Sequence, residues 1–248
     1  MSICASTIVK ILDREYRIYG YPDEGWFKLL CTSPSFSEPP LEYLRGLIKK
    51  DWHCLDLGAN LGMYSLALSQ LSNFVIAFEP DHKSFEAFKK TIEANRIINI
   101  DARRVAVAEC GMTGHFIEDP VWRSSSHFVP DKEGFTLASG LDEMSLNHIE
   151  FIKIDIEGSE LDALNGAHAT LRVYKPIVLM EFNSFAFVHY RDILPRMALR
   201  HIFKIFPRVR YFDRHDNHKI KDLTDYEEFL RVNMLTGFVD NLLCSWDR

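Results

Sequence analysis

The segment FIKIDIEGSELDALNGA, residues 151–167, ends an apolar run in Asp155, Glu157 and Glu160, with Gly158 between the last two. Carboxylates at the end of a parallel strand face the crevice in which α/β proteins take their ligands. Two chemistries suit them. Asp155 and Glu157 can accept a proton from a reacting group, or, with Glu181 at the end of the next apolar run, bind a hard divalent ion such as magnesium through oxygen. Glycine at 158 lets the turn pass close to a ligand. Glu160 falls in the first turn of the following helix, where a negative charge suits the helix dipole, and its expected role is structural. The competing reading of the whole run is a capped helix start, with Ser159 and Glu160 as ordinary N-terminal residues.

A second candidate lies upstream in CLDLGANLGMYSLALS, residues 54–69, where a strand ends at Asp56 and Leu57 and Gly58-Ala59-Asn60-Leu61-Gly62 turns directly into a helix. Glycines there bring the backbone to a ligand, and the helix start presents free N–H groups. A dinucleotide fingerprint needs glycine where Asn60 and Met63 stand, which counts against NAD. The Gly-Lys-Ser/Thr of a phosphate-binding loop is absent, so nucleoside triphosphate hydrolysis is not expected. Glu79 ends the following strand, and one carboxylate holds the two hydroxyls of a ribose well. The expected ligand is a nucleoside without a pyrophosphate.

The elements that must position these residues alternate. HCLDL, NFVIAFE, FIKID and PIVLMEF read as strands. Leu61, Tyr64, Ser65 and Leu68, then Phe85, Phe88 and Ile92, then Leu161, Leu164 and Leu171 mark helix faces. ARRVAV follows the second helix, and Glu109 to about Gly140 reads as irregular. Earlier, YRIYG is a short alternating run, TSPSFSEPP a connector, and LEYLRGLIKK a helix. IFKIFPRVRYFDRHDNHKIKDL reads as a strand, a polar turn and an edge strand, so the last elements are expected to be antiparallel. Strands alternating with amphipathic helices predict an α/β fold, a doubly wound, mostly parallel sheet with an antiparallel C-terminal edge.

At 248 residues one domain is expected: a cap segment over residues 1–40, a cofactor-binding core over 41–185, and a C-terminal part over 186–248 that completes the sheet and the acceptor site. The net charge of -6 offers no attraction to nucleic acid or an anionic membrane, and neither is expected as a partner. Five cysteines, scattered and never in a C-x-x-C pair, suggest neither a disulfide framework nor zinc. With no signal-like N-terminus, the expected location is cytoplasmic. The uncharged stretch Leu57 to Phe78 carries too many polar residues for a membrane span.

Taken in order, LDLGANLGMYSL, FEPD, IKIDIEGSELDALNGA and VLMEFN resemble the FkbM family of S-adenosylmethionine-dependent methyltransferases, from about Leu41 to Asn183. IKIDIEGSE is the most specific part. The resemblance implies a class I methyltransferase (Rossmann-like) fold in which DLGANLG passes under the methionine part of the cofactor and Glu79 holds its ribose. It implies O-methylation, commonly of hydroxyls on sugars, glycoconjugates or natural products. Residues 1–40, the Glu109 to Gly140 stretch and the tail beyond about Ala186 carry no match, and substrate choice is expected there.

On that reading Asp56, Gly58, Asn60, Gly62, Glu79 and Asp155 bind S-adenosyl-L-methionine. Methyl transfer from a sulfonium is an in-line displacement, so the acceptor oxygen must be held behind the methyl group and relieved of its proton. Asp155 and Glu157 are the expected groups, acting directly or through a metal ion such as magnesium. His189 in FNSFAFVHYRD is a further candidate base, since imidazole titrates near neutrality. Two other functions use the same elements: an inactive nucleoside-binding module, and a nicotinamide-dependent oxidoreductase.

Overall fold

The computed structural model describes residues 4–119, 121–216 and 218–246, and the chain falls into two compact units. The first comprises Met1–Ala106 with Phe116–Ser126, the second Val107–His115 with His127–Arg248.

In the first unit, β1 (Ala5–Ile11) and β2 (Arg14–Gly20) form an antiparallel hairpin with Ala5 opposite Gly20. Alternation explains it: Val9, Ile11, Tyr16 and Ile18 point to the buried side while their neighbours face solvent. Helix α1 (Gly25–Thr32), the short β3 (Ser35–Phe36) and helix α2 (Pro39–Leu47) follow, α2 opening on Pro39 where a missing N–H goes unnoticed. Then comes the expected alternation of β4 (His53–Leu57), α3 (Met63–Leu71), β5 (Phe74–Phe78), α4 (His82–Ala94) and β6 (Ile100–Arg103). β4, β5 and β6 are parallel, with Cys54 opposite Val75 and Val75 opposite Ile100.

The start of α4 is fixed by Asp81, whose buried carboxylate accepts the Ser84 N–H at 2.7 Å. Asp81→Ala should lower stability by about 1–2 kcal/mol, the usual worth of a helix cap. Chemical denaturation checks this, and an unchanged midpoint would show that the cap contributes nothing.

The stretch expected to be irregular is not. After β7 (Ala106–Val107) it holds β8 (Thr113–Ile117), β9 (His127–Pro130) and β10 (Thr136–Ser139), with Gly114 opposite Thr136 across an antiparallel pair. These strands are only four or five residues long, which hides their period.

In the second unit, β11 (Phe151–Ile154) is fully buried and lies parallel to β12 (Ile177–Asn183). Between them the single helix read from Leu161, Leu164 and Leu171 is two, α5 (Glu160–Asn165) and α6 (His168–Tyr174). Gly166 ends the first, and the Asp142 carboxylate caps the second by accepting from the N–H groups of Ala169 and Thr170. After α7 (Ser184–Arg191), IFKIF proves to close helix α8 (Pro195–Ile205), which buries Ala198, Leu199 and Ile202 at helical spacing. The expected strand, turn and edge strand are β13 (Arg208–Asp213) and β14 (Lys219–Asp222), antiparallel to each other. Helix α9 (Tyr226–Leu235) leads into β15 (Val239–Ser245), which runs antiparallel to both β12 and β13. Among the described residues no helix is long and apolar enough to cross a membrane.

Candidate active site

The glycine turn of the first unit is built on left-handed backbone: Gly58 has φ 84°, Asn60 48° and Gly62 88°. The N–H groups of Gly58 and Ala59 both donate to the Phe78 carbonyl at the end of β5, at 3.0 and 2.9 Å. Gly62 is held by packing as well as by φ, because a Cβ there would lie 2.1 Å from the Phe88 ring. Asp56 is fully buried and accepts from the Ser65 hydroxyl at 2.5 Å, so it pins the end of β4 to α3. Glu79 is almost as buried, and each carboxylate oxygen accepts a main-chain N–H: Oε2 from Asn60 at 2.7 Å, Oε1 from Asp81 at 2.8 Å. Thus Glu79 sets the conformation of the turn besides standing at its mouth. The Asn60 Oδ1 is sealed from solvent with no hydrogen-bond partner, a fit for a polar ligand group.

In the second unit the carboxylates come together. Asp155, just past β11, Glu157 in the following turn and Glu181 on β12 each offer an oxygen, the three within 4.8 Å of one another. The turn is tight: Glu157 has φ 51° and Gly158 99°. Left-handed backbone at a glutamate is strained by roughly 1 kcal/mol or more, which other contacts must offset. Asn183 supplies them, its Nδ2 donating to Glu157 Oε2 at 3.2 Å and Glu181 Oε2 at 3.4 Å while its Oδ1 accepts the Ala186 N–H. Lys153, nearly buried, reaches Asp155 at 3.1 Å.

Burial, with the Asp155 charge next, holds both Glu157 and Glu181 well above the usual carboxylate range; Lys153 works the other way. Glu160 is wholly buried and is pushed up to about 7 by that burial. Its Oε1 accepts from the N–H groups of Ile156 and Gly158 at 3.1 and 3.2 Å, closing the turn from beneath.

His189 is exposed in the last turn of α7, its ring centroid 4.1 Å from that of Phe185. His127 stacks on Tyr190 at 3.7 Å. Two groups with little or no signal in the sequence matter to the geometry. Asn183 was visible only as the last letter of VLMEFN, although an Asn opening a helix is a cap signal. Arg191 makes an ion pair with Asp162 of α5 and donates to Ser159 Oγ at 3.0 Å, a long-range contact with no local signal.

The chain is an α/β protein whose fold matches that of class I methyltransferases. A model of the methyltransferase FkbM domain matches residues 56–208, and the chain belongs to this FkbM family of S-adenosylmethionine-dependent methyltransferases. It is similar to the crystal structure of an FkbM methyltransferase from Methylobacillus flagellatus KT, with 17% identity and a TM-score of 0.51 over 83% of this chain and 47% of that one. A 16S rRNA methyltransferase (RsmC) of T. thermophilus, solved with AdoMet and guanosine, gives 15% identity and a TM-score of 0.52 over 100% of this chain and 52% of that one. The chain therefore spans about half the length of these two relatives. No curated protein matches.

One expectation is corrected. The net charge argued against nucleic acid as a partner, yet the fold is shared with an rRNA methyltransferase. Net charge sums over the whole surface and does not report the lining of a site, so the exclusion of nucleic acid is withdrawn.

Proposed function

We propose that this chain transfers a methyl group from S-adenosylmethionine to the oxygen of an acceptor hydroxyl, sugar and natural-product hydroxyls being the class implied by its family. The observation that carries the reading is the Glu79 carboxylate at the end of the second parallel strand, tied at 2.7 Å to the N–H of Asn60 inside a glycine turn. Gly58, Asn60 and Gly62 line the approach of the cofactor, Glu79 accepts from its ribose, and Asp56 acts behind them by holding α3. The cofactor, when bound, supplies an electrophilic methyl on sulfur. Asp155 and Glu157 position the acceptor and take its proton, which a hydroxyl does not give up unaided near neutral pH. His189, exposed and set against Phe185, is a weaker candidate for the same task.

The test is calorimetric titration of S-adenosylmethionine into the full chain and into Glu79→Ala and Glu79→Gln, with NAD as control. The Ala variant should bind the cofactor roughly 10- to 100-fold more weakly, as loss of a hydrogen bond to a charged acceptor does. The Gln variant, which keeps an acceptor oxygen, should lie between. Undiminished affinity in both removes Glu79 from the binding role, and no binding by the wild type removes the cofactor reading. Acceptors are then screened by S-adenosylhomocysteine release, with an RNA arm beside the sugars and hydroxylated small molecules.

A further inference from the structure

The second unit holds a cluster of hard oxygen donors whose spacing suits an ion. Carboxylate oxygens that share one divalent cation at about 2.1–2.4 Å stand no more than about 4.2–4.8 Å from one another. Asp155, Glu157 and Glu181 each offer an oxygen within 4.8 Å of the other two. All three are half-buried, which leaves coordination positions for water or an acceptor oxygen, as magnesium sites require.

Glu160 is an independent sign. Its side chain is 0% exposed, Oε1 serves the Ile156 and Gly158 N–H groups, and Oε2 has no hydrogen-bond partner. Because Oε1 is bonded to the main chain on either side of Glu157, the Glu160 carboxylate lies against the turn that carries Glu157. A buried carboxylate oxygen without a donor is unfavourable unless the group is protonated or positive charge faces it. Lys153 pairs with Asp155 and its charge also reaches Glu157 and Glu181, one positive charge among four carboxylates. Asn183 orients both Glu157 and Glu181, as outer-shell partners orient metal ligands.

We propose that Asp155, Glu157 and Glu181 bind one hard divalent cation, Mg2+ or Mn2+, with Glu160 as the buried counter-charge behind them. The cation's role rests on the methyltransferase reading, in which it holds the acceptor oxygen and eases loss of its proton. Its binding does not rest on that reading.

Manganese is the probe, because its electron paramagnetic resonance signal is lost on binding and needs no turnover. The full chain, stripped with chelator and free of S-adenosylmethionine, is titrated with Mn2+. One ion should bind per chain, and Mg2+ should displace it. Glu157→Gln and Glu181→Gln should each weaken binding roughly 10- to 100-fold. Asp216→Asn, which alters a carboxylate paired with Lys219 and Lys221, should leave it unchanged. Thermal melts identify which variants are folded, and loss of binding in either folded Gln variant supports the site. No Mn2+ bound to the wild type up to about 1 mM, the weak end for protein oxygen sites, overturns the proposal. So does binding that both Gln variants retain. Cofactor binding without Mn2+ binding sinks the metal site alone, and Mn2+ binding without cofactor binding sinks the methyltransferase reading alone.

Discussion

Arg191→Ala should unfold at a clearly lower denaturant concentration than the wild type, a loss of about 3–5 kcal/mol. Arg191 and Asp162 are an ion pair with side chains only 8% and 13% exposed. Attraction between such charges is largely offset by their desolvation, so the pair as a whole adds little. Removing one partner is different, because it leaves the other buried and uncompensated. Burial already holds the Asp162 carboxyl above its ordinary range, and the Arg191 charge opposes that rise. Without Arg191 the rise is larger. An acid whose folded-state pKa is raised binds more protons folded than unfolded, so its contribution to stability falls as pH climbs through that window. The deficit of Arg191→Ala should accordingly shrink as pH falls and grow toward neutrality. A deficit equal at all pH values would mean that packing, not charge, was lost. The double variant Asp162→Ala, Arg191→Ala should be less destabilised than Arg191→Ala alone, since it buries no orphan charge.

Gly62→Ala should destabilise the chain by roughly 2–4 kcal/mol, combining left-handed backbone strain with overpacking. The two causes can be separated. Asn60 shows that a side chain tolerates positive φ in this same turn, so backbone strain alone is bearable. Phe88, however, is fully buried among Ala59 and Ala77 with Ile92, Ile100 and Ala102 around it, and it has nowhere to retreat from a carbon 2.1 Å away. Gly62→Ala combined with Phe88→Leu should therefore be less damaging than the sum of the single changes. Thermal melts of the three variants check this, and strict additivity would mean that the ring and the new methyl do not compete for space.

The regular elements were legible where apolar residues recurred at a single period. β4, β5, α4 and β12 stand where HCLDL, NFVIAFE, Phe85 to Ile92 and PIVLMEF put them, and α3 begins at Met63, just beyond the Leu61 read as part of its face. IFKIF misled because five apolar or basic letters carry no period of their own, and the Pro195 start that makes them a helix lies upstream. Residues 109–140 misled because strands of four or five residues, with Gly134 and Gly140 flanking the last, look like loop. Glu79 and Asp155 could be chosen from the sequence because each directly follows a strand. Their partners could not, because Lys153 reads as an interruption of a strand and Arg191 meets Asp162 only through folding.

Asn183 ties two events together. Its amide nitrogen holds Glu157 and Glu181 while its oxygen locks the first turn of α7 through the Ala186 N–H. Loss of that helix cap would therefore loosen both acids together, so local opening of the α7 start reaches the site directly.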